Sequence, residues 1–218
     1  MTKSAPPNTK FLNGLYAITD PLLLPNEKVI VGVESALKGG ARVIQYRDKT
    51  ASDIERVKTA QSLHDLCANY QAQFIINDDL DLCLRVKANG LHLGKSDGDI
   101  SHARQRLGDD KILGVTCHSD IAYAQVCINQ EVDYCAFGRV YPSRTKPNAP
   151  HCTLATLKLA AQLTKPSVAI GGITLENAAS VLATNIHSIA VIHGLFGQTN
   201  IEATARKFSS LFKPSQTE

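Results

Sequence analysis

The stretch 74–94, FIINDDLDLCLRVKANGLHLG, decides the fold. Phe74-Ile75-Ile76 is a short apolar run that ends on Asn77-Asp78-Asp79, and Leu91-His92-Leu93 is a second run that ends on Gly94. Between them, Asp79 to Val86 carries helical spacing. Strand, helix and strand in that order form a βα unit, which pairs its strands in parallel and buries both of their faces.

The order repeats outward in both directions. Upstream lie the apolar runs Leu15–Ile18 and Arg42–Tyr46. Downstream lie Ile112–Val115, Tyr134–Phe137, Val168–Ile170 and Ile189–Ile192. Helical segments separate them. Ile54, Val57, Ala60, Leu63 and Leu66 recur at steps of three and are expected to share the buried face, with Ser52 as N-cap and Glu55 completing a capping box. Thr174 precedes a similar start over Leu175 to Ala183, with Asn177 third after it, and Leu154–Leu163 and Ile201–Leu211 also read as helices. Eight βα units in 218 residues predict an α/β chain forming a single (β/α)8 TIM barrel over residues 11–213, with flexible tails at 1–10 and 214–218. An open doubly wound sheet is the competing architecture. It usually has about five to seven strands and a glycine fingerprint after the first. Here the first strand runs into Thr19-Asp20-Pro21, and G-x-G-x-x-G occurs nowhere.

Composition narrows the function. Apolar residues make up 44% and the net charge is +3, so the chain can bury a core and carries no electrostatic footprint for nucleic acid. No apolar run reaches the ~18–20 residues of a membrane span. Met1 to Lys10 is polar, unlike a signal peptide, and the six cysteines include no C-x-x-C pair. The expectation is a cytoplasmic protein with buried, reduced thiols, acting on small molecules; homo-oligomers are compatible with the barrel.

In such barrels chemistry sits at the C-terminal ends of the strands. Those ends carry Gln45-Tyr46-Arg47-Asp48-Lys49, Asn77-Asp78-Asp79, Gly94-Lys95-Ser96-Asp97, Thr116-Cys117-His118-Ser119, Ser143-Arg144-Thr145-Lys146, Gly171-Gly172 and His193-Gly194. Arg47, Lys49 and Lys146 are cations on one face, and Asp78 and Asp97 are carboxylates on neighbouring strands. Mg²⁺ takes one or two carboxylates plus substrate phosphate oxygens, so the set suits a diphosphate. Gly171-Gly172 before a helix start suits a second phosphate, bound by backbone N–H groups. Plainer readings stand beside these. Arg47 to Lys49 can be a solvated strand end, Asp78-Asp79 a helix cap, Asp97 a loop acid and Gly171-Gly172 a turn, while His118 and His193 can be structural. The loop from Tyr141 to Cys152, with Pro142, Pro147 and Pro150, is a candidate lid.

In order along the chain, the motifs are Gly14–Asp20, Gln45–Lys49, Ile76–Asp78, Leu91–Gly94 with Asp97, Leu113–Ser119, Gly138–Lys146 and Ala169–Ile173. Together the sequence resembles the thiamine-phosphate synthase family over about Gly14 to Phe212. The resemblance implies a transferase of thiamine biosynthesis. Such an enzyme joins hydroxymethylpyrimidine diphosphate to a thiazole phosphate, or its carboxylated form, and releases thiamine phosphate and pyrophosphate. It also implies roles. Gln45, Tyr46, Arg47, Asp48, Lys49, Asn77, Thr116 and Lys146 would bind the pyrimidine diphosphate, with Arg47, Lys49 and Lys146 catalytic. Asp78 and Asp97 would hold Mg²⁺. Ser143, Arg144, Thr145, Gly171, Gly172, Ile192 and His193 would bind the thiazole phosphate. Relative to the family pattern, Asp48 replaces Glu, Lys95 replaces Gln, Thr116 and Ser143 exchange hydroxyl types, and His193 stands where Ser is expected. Two alternatives are a thiazole-phosphate tautomerase-like relative, with His193 as proton shuttle, and a non-catalytic sensor of thiamine precursors.

Overall fold

The computed structural model describes residues 12–142 and 150–212. The expected tails fall outside these residues. Eight strands close into one parallel barrel in chain order. They are β1 (Gly14–Ile18), β2 (Val43–Tyr46), β3 (Gln73–Asn77), β4 (Gly90–Leu93), β5 (Ile112–His118), β6 (Tyr134–Phe137), β7 (Ser167–Ile170) and β8 (Ser188–Val191). The helices are α1 (Lys28–Lys38), α2 (Asp53–Asn69), α3 (Leu80–Arg85), α4 (Ile100–Leu107), α5 (Ile121–Asn129), α6 (Leu154–Ala160), α7 (Ala178–Leu182), α8 (His193–Phe196) and α9 (Ile201–Ser210). Closure comes from β1 against β8, in register from Gly14 opposite Ser188 to Ala17 opposite Val191. The Ser188 hydroxyl adds a 2.6 Å bond to the Gly14 carbonyl across that seam.

Period-two alternation splits the apolar residues between two cores. Tyr16, Ile18, Val43, Ile75, Ile112 and Val168 fill the barrel interior. Leu15, Ala17, Ile44, Phe74 and Ile76, from the same strands, pack outward against the helices. Both faces of each strand are therefore dry, which is why the strands read as continuous apolar runs.

Local signals fix several helix ends. Ser52 and Glu55 form the full capping box of α2. Asp79, Asp99 and Asp120 cap α3, α4 and α5 by accepting from the backbone three residues on. Three expectations need correction. Ile54 is 84% exposed, because steps of three lag the helical turn and Ala60, Leu63 and Cys67 form the buried face. The last helix before β8 starts at Ala178, since Leu175 to Asn177 form a turn in which Asn177 Oδ1 accepts from Thr174 N. The predicted Leu154–Leu163 helix ends at Ala160. The short helix α8 was not expected.

Below the barrel, Arg104 binds the Glu131, Gly108 and Lys111 carbonyls and reaches Asp133 at 2.6 Å. Asp133 also accepts from Leu113 N. This ion pair is buried, with side-chain exposures of 9% and 5%, and it ties α4 to the starts of β5 and β6. We predict that Arg104→Leu strands a buried carboxylate and lowers stability by about 3–5 kcal/mol in urea unfolding. Ile54→Lys, on the exposed face, should change it by less than about 0.5 kcal/mol. A small loss at Arg104 or a large one at Ile54 contradicts this packing.

Candidate active site

A cavity of about 310 Å³ opens at the C-terminal mouth of the barrel. All eight strands or the loops that follow them line it. Of the residues singled out from sequence, Gln45, Arg47, Asn77, Asp78, Thr116, Gly171, Gly172, Ile192 and His193 line this cavity.

At one end, the pair Asp78-Asp79 divides its work. Asp79 is the N-cap of α3 and its other carboxylate oxygen takes a 2.7 Å bond from Arg56. Asp78 adopts φ 63°, a left-handed conformation that Asp tolerates, and its N–H donates to the His92 carbonyl. Asp78 lines both this cavity and a neighbouring depression, and its Oδ2 lies 3.0 Å from Lys49 Nζ. Burial pushes the Asp78 carboxyl up, but Lys49, Asp97 and Asn77 together outweigh burial and hold it below the usual carboxylate range. Arg47 is fixed beside it by its backbone, which exchanges hydrogen bonds with the Thr19 hydroxyl.

Asp97 reaches Asp78 from the loop after β4. A Cβ on Gly94 would lie 2.0 Å from Asp97 Oδ2, so a glycine there admits the carboxylate. Two adjacent carboxylates with the Asn77 amide form a hard oxygen donor set with charge to neutralise. Among the described residues no group of three or more His, Cys, Asp or Glu could hold a metal. Two carboxylates suit Mg²⁺, which habitually completes its shell with water and phosphate oxygens.

At the other end, Gly171 has φ +102° and Gly172 φ +64°. A Cβ on Gly172 would meet the Pro142 carbonyl at 2.4 Å, so both the conformation and the space demand glycine. Asn177 braces the turn by donating to the Gly172 carbonyl at 3.0 Å. His193 begins α8, and its ring folds back over Gly197, 3.0 Å from where a Cβ on that glycine would stand.

Other residues singled out from sequence fall elsewhere. Tyr46 points outward into the helical layer, since its neighbour Gln45 takes the inward position on β2. Thr59 stands beside its hydroxyl there. Asp48 organises the β2–α2 loop, accepting from Thr50 N, Thr50 Oγ1 and Ala51 N. Asp48 and Lys49 border a neighbouring depression that also includes Asp78. Lys95 turns to Asp120 at 3.2 Å and covers the Tyr123 ring, away from the cavity. Ser143, Arg144, Thr145 and Lys146 lie outside the described residues. The feet of the candidate lid are described: Arg139 N donates to the Pro150 carbonyl and Cys152 N to the Arg139 carbonyl. All six cysteines are buried free thiols; burial pushes Cys67 and Cys83 up to about 12, far from nucleophilic thiolates.

The cavity floor was missed by sequence reasoning. Tyr16, His92 and Tyr134 line it, joined by hydrogen bonds to Gln45 and Thr116. The available signal was polar residues at inward positions of otherwise apolar strands.

Lys49 is the largest of the groups that oppose burial at Asp78, so Lys49→Ala should raise the Asp78 titration midpoint, read by carboxyl ¹³C NMR. The sign follows from linkage. A depressed carboxyl adds stability above its unfolded pKa and loses it as pH falls through the folded value. The stability gap between wild type and Lys49→Ala should therefore be present at neutral pH and shrink in acid. An unmoved midpoint would remove Lys49 from the Asp78 carboxylate.

Comparison with known proteins places this geometry. The chain is 48% identical over 210 residues to a thiamine-phosphate synthase of Alcanivorax borkumensis, covering 94% of this chain and 97% of that one. It is 45% identical over 201 residues to a thiamine-phosphate synthase of Marinobacter nauticus, covering 91% and 90%. A solved thiamine phosphate pyrophosphorylase from Pyrococcus furiosus superposes with a TM-score of 0.86 at 32% identity, over 94% of this chain and 98% of that one. The sequence profile described as thiamine monophosphate synthase matches residues 15–195, and with these relatives it shows that the chain belongs to that family.

Proposed function

We propose that the chain is a transferase of thiamine biosynthesis that condenses hydroxymethylpyrimidine diphosphate with a thiazole phosphate, giving thiamine phosphate and pyrophosphate. The observation that carries this reading is one cavity lined by two chemically different groups suited to phosphate: Arg47 with Asn77 and Asp78, and the Gly171-Gly172 turn. A single small substrate needs one such group. A reaction joining a diphosphate to a monophosphate needs both.

The chemistry asked of the side chains is modest. The methylene–oxygen bond of the pyrimidine diphosphate breaks, and its electron pair leaves with pyrophosphate. The electron-rich aminopyrimidine stabilises the cation left behind, and the thiazole nitrogen supplies the pair for the new carbon–nitrogen bond. Arg47, Lys49 and Lys146 stabilise charge gathering on the leaving group. Asp78 and Asp97 would hold Mg²⁺, whose chemistry is to screen the diphosphate and the departing pyrophosphate. Gln45, Asn77 and Thr116 orient the pyrimidine, and Gly171, Gly172, Ile192 and His193 hold the thiazole phosphate. No protein nucleophile enters, which fits a cavity whose cysteines are buried outside it. The tautomerase-like alternative rests on His193 as proton shuttle, and the Asp78–Asp97 carboxylates with Arg47, which such a reaction would not need, weigh against it.

The deciding experiment mixes the protein with both substrates, with Mg²⁺ or with EDTA, and quantifies thiamine phosphate. Mg²⁺-dependent product is expected; folded protein that makes none contradicts the reading. Asp78→Ala and Lys146→Ala should each lower kcat by about a hundredfold or more, the scale of one lost preorganised contact. His193→Ser should change KM for the thiazole phosphate with little effect on that for the pyrimidine diphosphate.

A further inference from the structure

Five side chains from β1, β2, β4, β5 and β6 join in one relay across the cavity floor. Gln45 Nε2 donates to the Tyr16 hydroxyl at 2.7 Å. Tyr16 and Tyr134 hydroxyls are 2.8 Å apart. Tyr134 Oη lies 2.9 Å from His92 Nδ1, and His92 Nε2 lies 2.9 Å from Thr116 Oγ1. His92 also stacks on the Tyr134 ring, 5.5 Å between centroids. All five residues line the cavity, and all but Thr116 are buried.

The protons in this relay can be counted. Burial pushes both phenols far above their ordinary range, so each keeps its single proton. Tyr16 accepts from Gln45, and the acceptor its own proton reaches among the described residues is Tyr134. A buried hydroxyl is satisfied when that proton is used there. Tyr134 then accepts from Tyr16 and donates to His92 Nδ1. A neutral imidazole that accepts at Nδ1 carries its proton on Nε2, and this proton goes to Thr116 Oγ1. Thr116 spends a lone pair on the relay and keeps its own proton. Gln45 spends an amide N–H and keeps its carbonyl oxygen.

We infer that His92 is a positioning residue for substrate selection: held as the Nε2–H tautomer by the Tyr16–Tyr134 pair, it makes Thr116 a donor to the pyrimidine while Gln45 is an acceptor. The inference rests on the assignment of Thr116 and Gln45 to the pyrimidine in the proposed function. A heterocycle with an unprotonated ring nitrogen and an amino group matches both. An oxo analogue, whose ring nitrogen carries a proton, can use only the second lone pair of Thr116, which leaves the threonine proton without its acceptor, and it sets its carbonyl oxygen against that of Gln45, acceptor against acceptor. Sites built on such bonds discriminate strongly, so the amino substrate should be favoured over its oxo analogue by about a hundredfold or more in kcat/KM.

Two measurements test this. Long-range ¹H–¹⁵N spectra of histidine-labelled protein, with His92 assigned by its loss in His92→Gln, should show the Nε2–H tautomer. An Nδ1–H tautomer or an imidazolium at His92 overturns the inference. This readout needs no turnover and no variant that must stay active, so it decides the relay even if the transferase reading fails. In kinetics, Tyr134→Phe and Tyr16→Phe should raise KM for the pyrimidine diphosphate about tenfold, leave KM for the thiazole phosphate within about twofold, and lower the amino-over-oxo preference about tenfold. His92→Gln, which retains a donor toward Thr116, should keep more of the preference than His92→Leu. Equal effects on both KM values, or an unchanged preference, overturn the inference; circular dichroism separates these outcomes from misfolding.

Discussion

Everything at the site depends on the closure of β1 against β8. The first and last strands are far apart in sequence, and their pairing brings Tyr16 and Ile18 into one cavity with Ala190 and Ile192. Because all eight strands are parallel, closure also puts every strand's C-terminal end on one rim. Residues with no sequence proximity are thereby held to a common geometry, and the loops that carry them need little order of their own.

The rim and the floor then solve different problems. At the rim, charge is managed by opposition: Lys49 against Asp78, Arg56 against Asp79, and a glycine at 94 that lets Asp97 come close. On the opposite side the turn at Gly171-Gly172 substitutes backbone for side chains, since neither conformation nor space admits a Cβ. The floor carries no formal charge in its neutral state. Its polar groups satisfy one another through the Gln45–Tyr16–Tyr134–His92–Thr116 relay, as burial demands. A diphosphate and a phosphate at the two ends, with an uncharged heterocycle above the floor, is the substrate arrangement this division favours.

The barrel was legible because burial on both faces gives each strand an unmistakable apolar run, and because Ser52-Glu55 and the Asp caps mark helix starts locally. Ile54 was misread because a step of three only approximates the helical period over one turn, and the error accumulates along α2. Asp78 was separated from Asp79 by its place in the Ile76–Asp78 motif, while the left-handed backbone at Asp78 that separates their directions leaves no local mark in the sequence. Tyr46 was carried into the site by its motif, although strand alternation assigns Gln45 inward and Tyr46 outward. The relay was illegible for a simpler reason. Tyr16 and Tyr134 are 118 residues apart, and nothing local in either strand announces the other.

The central claim is that one cavity holds two phosphorylated groups at opposite ends. A crystal structure of the protein soaked with Mg²⁺, pyrophosphate and thiamine phosphate tests it most directly. The account predicts pyrophosphate against Arg47, Lys49 and Asp78, and the phosphate of thiamine phosphate against Gly171 and Gly172, with the pyrimidine ring over Gln45 and Thr116. Both anions at the same end, or either one bound outside the barrel mouth, would contradict it.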